Sequence, residues 1–532
     1  MLAPSAEART GALALGLAAL AFGWGCAADG GAGRPPNILL ILADDLGYGD
    51  VSAYNDQAKV ETKHLDNLAR QGLRFTDAHS PSTVCTPTRY GILTGRMPFR
   101  NGMRGVFTGV EGPCLIEPGR LTLAQMLRES GYATAMFGKW HLGMTFFDAQ
   151  GEPVHAIDLP AETREERIAA GVERVRLVDF SRTIPDGPLS RGFDHFYGTV
   201  ACPTTDWLYA WVDGDRVPGP PEELLDRGPL PKHPYANDNR QGLIAPDYDL
   251  ERVDLVFLER SVRFLEEHAS REPERPFFLF HSMQAVHLPS FAAPEFQGST
   301  EAGPHGDFLF EMDFIVGELM AALDRLGLAQ ETLVLFTSDN GPEVTSAYHM
   351  RRDHDHDGAR PWRGVKRDQW EGGHRVPTIA RWPGKIQPGS ATNQLFNLTD
   401  IMATAAALTG YALPNDAAED SFDFSALLAG NHDGSPIRKF ALHQTNTLDL
   451  ALRQGPWKYL DHAGSGGNDY TRPFLADFAL DDGAPDAPAQ LFDLASDPGE
   501  TRNLYYEEAE TASRMKEALE EFKAAGRSAP AR

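Results

Sequence analysis

Cysteine is scarce in this chain. Four occur in 532 residues, Cys26, Cys85, Cys114 and Cys202, which excludes a scaffold built on disulfides and leaves the fold to a hydrophobic core. Positive charge is also in deficit. Forty-nine Lys and Arg stand against 75 Asp and Glu, a formal net charge of -26. Without a basic footprint, nucleic acid is excluded as a partner. General affinity for anions is disfavoured with it, so any anion site has to be a local basic pocket inside an acidic field. Beyond residue 24 no stretch is long and apolar enough for a membrane-spanning helix, and internal repeats are lacking.

What is present fits a globular protein with a real core: 42% hydrophobic and 23% charged residues. The length predicts two to four domains, or one large domain with an accessory. At the N-terminus, Arg9 precedes an apolar stretch over 11–24 that reads as the core of an export signal, although Glu7 weakens its positive flank. Cys26, followed by Ala27-Ala28-Asp29, resembles a bacterial lipoprotein site. Gly23-Trp24-Gly25 lacks the aliphatic residue usual before such a cysteine. Two outcomes stay open: a lipid anchor at Cys26, the chain's one membrane link, or cleavage nearby and release. Either predicts an exported protein, periplasmic, secreted or anchored at the cell envelope.

Along the chain, strand and helix patterns alternate. The run 37–42 is continuously apolar, as in a strand buried on both faces. Residues 63–71 read as a helix capped by Thr62, and 121–130 as a helix with a capping box from Thr122 and Gln125. Further strands are predicted at 133–137, 277–280 and 332–337, and further helices at 249–268 and 308–326. This predicts an α/β fold: a large mixed, mostly parallel sheet flanked by helices. Past residue 431 short extended segments (439–443, 456–460) and a terminal helix (507–525) predict a smaller C-terminal α+β domain, an antiparallel sheet plus helix. The expected organisation is a signal over 1–26, a linker over 27–36, a main domain over 37–430 and the smaller domain over 431–532.

Chemistry concentrates where strands end. Asp44-Asp45 follow the first strand and Asp339-Asn340 follow another. Each pair alone reads as an ordinary polar turn. Delivered to one sheet edge, three carboxylates and an amide oxygen make an all-oxygen set that suits a hard divalent cation, Ca²⁺ before Zn²⁺. Gly138-Lys139-Trp140-His141 follows a strand, and a Lys and a His two apart on extended chain point the same way. His281 and His287 follow the strand at 277–280, with His281 the weaker candidate, assigned to packing or a supporting role. The run His354-Asp355-His356-Asp357 looks like a metal cluster but has no matching second half. It reads as a polar loop lining a substrate mouth with Arg360, Arg363 or Arg367.

The segment Val84-Cys85-Thr86-Pro87-Thr88-Arg89, followed by Thr94-Gly95-Arg96, resembles the signature of the formylglycine-dependent (type I) sulfatases of the alkaline-phosphatase superfamily. Gly138-Lys139-Trp140-His141, His287-Leu288-Pro289, Lys366 ahead of Trp370-Glu371-Gly372-Gly373, and Leu491-Phe492-Asp493-Leu494 with Asp497-Pro498-Gly499-Glu500 resemble that family in the same order, from about 37 to 504. Ala403 departs from it, standing where the family has proline. The resemblance implies a sulfuric ester hydrolase. A maturation enzyme oxidises Cys85 to formylglycine, whose hydrated aldehyde is the nucleophile. Asp44, Asp45, Asp339, Asn340 and the modified Cys85 hold Ca²⁺. Arg89, Lys139 and Lys366 neutralise the sulfate, His141 takes a proton, and His287 or Lys366 protonates the leaving oxygen. The substrate is a sulfated small molecule or saccharide, and an exported location favours sulfated polysaccharides or glycosaminoglycan fragments. Two alternatives are carried: a phosphoesterase or phosphonate hydrolase of the same superfamily, and a non-catalytic binding protein on this scaffold. Pairing of Cys114 with Cys202 is left open.

Overall fold

The computed structural model describes residues 34–481 and 483–532; the segment read as an export signal, Cys26 and most of the expected linker lie outside the described residues. Strands β1 (Asn37–Ala43), β2 (Leu73–Phe75), β3 (Ala133–Lys139), β4 (His195–Thr199), β5 (Val212–Asp213), β6 (Phe277–Ser282), β7 (Thr332–Ser338), β8 (Thr378–Arg381) and β9 (Ser390–Thr392) form one nine-stranded sheet. Its order is β9-β2-β8-β7-β1-β6-β3-β4-β5. The middle five strands, β7 to β4 in that order, are mutually parallel, and β8 and β5 run antiparallel to their inner neighbours. The sheet is therefore mixed and mostly parallel.

Sequence explains the centre. All seven residues of β1 are buried, because helices cover both faces of a parallel sheet. Leu40 lies level with Phe280 of β6 and Leu335 of β7. Each such side chain, fully withdrawn from water, stabilises by about 1.5–3 kcal/mol. Helices α1 (Lys63–Gln71), α2 (Cys85–Thr94), α3 (Leu123–Glu129), α4 (Val253–Arg271) and α5 (Gly303–Arg325) flank the sheet. The last two are displaced from their predicted bounds. α5 starts early because Pro304 suits the first turn, where no N–H bond is needed.

Two capping expectations are corrected. Thr62 does not cap α1; its hydroxyl is taken up with Ser52 and Asp66. The carboxylate of Asp313 on α5 accepts from the N–H groups of His64 and Leu65, at 2.9 and 2.8 Å. At α3 only half the capping box forms. Thr122 accepts from the Gln125 N–H at 3.0 Å, while the Gln125 side chain reaches Glu129 instead.

Strands β10 (Phe440–Gln444), β11 (Leu450–Gln454), β12 (Trp457–Leu460) and β13 (Gln490–Asp493) make a separate four-stranded antiparallel sheet. Helix α6 (Ala509–Ala524) packs on it through Met515 and Leu519 against Leu442, Leu452 and Leu491. Buried Lys458 of β12 reaches Glu371 at 3.0 Å, Glu500 at 2.9 Å and His374 Nε2 at 3.1 Å. No helix of the described residues is long and apolar enough to cross a membrane.

Candidate active site

Four parallel strands deliver their C-terminal ends to one edge of the sheet, where α/β folds place their sites. β1 ends at Asp44-Asp45, β3 at Lys139 with His141 beyond, β6 leads to His287, and β7 ends at Asp339-Asn340. Helix α2 aims its N-terminus at the same edge. Cys85 is its first residue and Arg89 stands one turn on, with all ten residues buried. Asp45 and His141 take left-handed backbone conformations, φ 58° and 61°. Such conformations are costly for residues with a Cβ and persist only where the surroundings enforce them. Gly138 is required for close approach: at φ 123°, a Cβ there would lie 1.7 Å from the Ser282 carbonyl.

Beneath the edge lies a buried lattice of opposite charges. Arg89 donates through Nε and a terminal nitrogen to Asp339, at 3.1 and 2.9 Å, and to Asp44 at 3.2 Å. Lys139 is ion-paired with Asp44, and Lys366 donates to Asp45 at 2.7 Å. Both ammonium groups are held above the ordinary lysine range. Burial works against them but is outweighed, by Asp44 for Lys139 and by Asp45 and Glu343 for Lys366. Burial and then the neighbouring Asp44 push the Asp339 carboxyl up to about 7.

Two oxygens of this lattice have no partner although fully buried: Asp44 Oδ1 and Asn340 Oδ1. The Asn340 amide is oriented by its own donors, since Nδ2 gives to Asp45 at 2.7 Å and to the Gly341 carbonyl at 2.9 Å. Unsatisfied buried acceptors are costly. Ligand atoms of Asp44, Asp339 and Cys85 lie within 4.8 Å of one another, as do those of Asp44, Asp45 and His287. The donor set fits a hard divalent cation.

Above the lattice opens a cavity of about 120 Å³, lined by Cys85, His141, Cys202, His287, Lys366 and Arg367 among others. Arg89 and Lys139 do not line it; they stand below, against the carboxylates. His141 Nε2 donates to the Phe107 carbonyl (2.7 Å), which leaves buried Nδ1 without a partner. His287 bonds the Leu288 carbonyl through Nδ1, and its Nε2 stands 3.7 Å from Asp45. Burial, then nearby cations, depress both imidazoles, His287 to about 3. Burial pushes the Cys85 thiol up to about 12, against the pull of Lys139 and Lys366.

The structure also corrects and extends the sequence reading. His354-Asp355-His356-Asp357 does not line the cavity: His356 bonds Asp50 at 2.8 Å and Asp357 pairs with Arg351. Of the three candidate arginines, Arg367 reaches the cavity, while Arg363 stacks on Trp370. His281 bonds Ser261 at 2.8 Å, away from the cavity. Cys114 and Cys202 are both free thiols. Cys202 lies 3.8 Å from His141 Nε2 and 3.9 Å from His287 Nε2. Sequence reasoning missed Cys202 as a site residue. It also missed Ser282, which accepts from Arg89 and donates to the Lys139 carbonyl, and Glu343, which chelates Arg367 at 2.7 and 2.8 Å. No local pattern marks any of the three.

A mostly parallel sheet with a buried cysteine, paired lysines and an acidic lattice at its edge defines a hydrolase of anionic esters. The sulfatase family profile matches residues 36–411, and the chain belongs to the sulfatase family. It is 34% identical over 513 residues to an N-acetylgalactosamine-6-O-sulfatase of Bacteroides thetaiotaomicron, covering 92% of this chain and 93% of that one. It is 35% identical over 482 residues to human arylsulfatase A, covering 88% and 83%. A solved structure from work on glycosaminoglycan metabolism by Bacteroides thetaiotaomicron superposes with a TM-score of 0.76 at 30% identity, covering 92% of this chain and all of that one. The protein is a sulfuric ester hydrolase of the type I class.

Proposed function

We propose that the enzyme removes sulfate from a saccharide monoester, outside the cytoplasm, with Cys85 matured to formylglycine by a separate enzyme and Ca²⁺ held by Asp44, Asp45, Asp339 and Asn340. The observation that carries this is the position of Cys85. It opens a buried helix at the floor of a cavity into which Lys366, His141 and His287 also face. Burial raises the Cys85 thiol above its ordinary range, and the match of residues 84–96 to the formylglycine signature favours a modified side chain over a thiolate. The saccharide is suggested by the relative that acts on N-acetylgalactosamine-6-O-sulfate and by the glycosaminoglycan context of the structural neighbour.

Formylglycine, once hydrated, supplies a hydroxyl nucleophile and a second hydroxyl for release of sulfate, and the cation adds fixed positive charge beside it. The remaining steps belong to side chains of this chain. Lys366 neutralises the sulfate oxygens from the cavity wall. Arg89 and Lys139 hold the carboxylates apart and in place from below. His141, neutral and with Nδ1 unpartnered, is placed to accept a proton. Lys366, kept protonated by Asp45 and Glu343, is the group placed to protonate the leaving oxygen, while neutral His287, its Nδ1 donating to the Leu288 carbonyl, presents Nε2 to the cavity as an acceptor. Residues 37–430 carry this chemistry, and 431–532 support it through Lys458.

The test is the mass of the peptide containing Cys85, in protein co-expressed with a maturation enzyme, together with turnover of para-nitrophenyl sulfate. A loss of about 18 Da with turnover absent in Cys85→Ala is expected. An unmodified peptide in fully active enzyme would overturn the nucleophile assignment.

A further inference from the structure

The cavity holds a second layer of charge that sulfate chemistry does not use. Every cation of the chemical layer is paired: Arg89 with Asp44 and Asp339, Lys139 with Asp44, Lys366 with Asp45 and Arg367 with Glu343. Asp238 and Arg240 line the same cavity. Among the described residues neither side chain makes a hydrogen bond or a salt bridge. Both are only partly exposed, so neither carries the full hydration of a surface charge.

The backbone beside them is anchored. Between them Asn239 is buried, donating to the Thr204 carbonyl at 3.0 Å and accepting from Arg227 at 3.0 Å. The Arg240 carbonyl accepts from the Tyr209 hydroxyl at 2.8 Å, and its guanidinium stands 5.5 Å over the Trp207 ring. An anchored backbone with two opposite charges that face one cavity and make no hydrogen bond or salt bridge is preorganised for a ligand with both donors and acceptors. An aryl sulfate offers Asp238 no donor. A sugar ring offers hydroxyl donors to a carboxylate and oxygen acceptors to a guanidinium.

We infer that Asp238 and Arg240 are the specificity-determining pair for the saccharide, Asp238 accepting from ring hydroxyls beside the sulfated position and Arg240 donating to a neighbouring oxygen. This rests on the sulfatase reading of the same cavity. Neither residue is asked to touch sulfur.

The test compares kcat/KM for para-nitrophenyl sulfate with that for a panel of monosulfated hexoses and N-acetylhexosamines, including N-acetylgalactosamine 6-sulfate. It uses mature wild-type enzyme, Asp238→Asn and Arg240→Gln. Loss of a charged hydrogen bond to a substrate hydroxyl is expected to lower the saccharide-to-aryl ratio by about tenfold to a hundredfold in each variant. Equal losses on both substrates, with the melting temperature preserved, would assign the pair a structural role and overturn the inference while leaving the sulfatase reading intact. Wild-type turnover of the aryl ester with none of the saccharides would also overturn it. Turnover of neither class by protein matured at Cys85 would overturn both readings together.

Discussion

Replacing Lys366 with Met removes one charge from the cavity at nearly constant volume. Nζ lies 2.7 Å from Asp45 and 3.5 Å from Glu343. A unit charge about 4 Å from a sulfate oxygen, at an effective dielectric of about 20, is worth about 4 kcal/mol. Losing one preorganised donor at a developing anion costs about 2.7–4 kcal/mol, or about 10²–10³ in kcat. The fold should survive. Asp45 keeps the Asn340 amide at 2.7 Å, and Glu343 keeps both bonds to Arg367. The half of Asp45 left unpaired costs about 1–3 kcal/mol. Steady-state kinetics on para-nitrophenyl sulfate with parallel thermal melts therefore should give a hundredfold or greater loss of kcat/KM, by the same reasoning, in a protein that still melts cooperatively. A loss under about tenfold in folded protein would refute the assignment of this charge to the ester. Unfolding at ambient temperature would show that the charge serves the lattice instead.

Chelation should lower both activity and melting temperature, because Asp44 Oδ1 and Asn340 Oδ1 are buried without partners; Ca²⁺ restored at a hundred times its Kd should return about 2.7 kcal/mol, and an unmoved melting curve would count against a bound cation. Lys458→Met should destabilise by about 3–5 kcal/mol in urea titrations, since it leaves Glu371 and Glu500 buried without their shared cation; a change below 1 kcal/mol, well short of that range, would show that the cluster relaxes. Stability should fall on acidification through the buried histidines. Burial holds His281 at about 3 and His305 at about 4, below the unfolded value of about 6.5. Their contribution is complete above that unfolded value and is lost toward their folded values, at about 1.4 kcal/mol per pH unit for each. Melts from neutral to mildly acidic pH test this, and a flat profile would contradict it.

The elements most legible in the sequence were those whose cause is local. The apolar run of β1 can be buried only on both faces, and α1 matches its predicted bounds. The carboxylate pairs sit directly after strands, so knowing the strand places the pair at an edge. Caps supplied from a distance were not legible: Asp313 stands 249 residues from the His64 N–H it satisfies. The same holds for Lys458, an unexceptional lysine in an alternating strand until Glu371, Glu500 and His374 close around it.

By itself, then, the sequence determined the fold class and the family, along with the residues of the acidic lattice and of the cysteine segment. These are written in strand periodicity and in short contiguous motifs. Only the tertiary structure decided which charges face the cavity and which lie beneath it. It set Arg89 and Lys139 below as partners of carboxylates and left Lys366 at the wall. It brought Cys202 between two histidines and placed Asp238 and Arg240 on the wall of the same cavity. The reason is physical. A charge is defined by its partners, and those partners arrive from strands and loops hundreds of residues apart that meet only when the sheet closes its register.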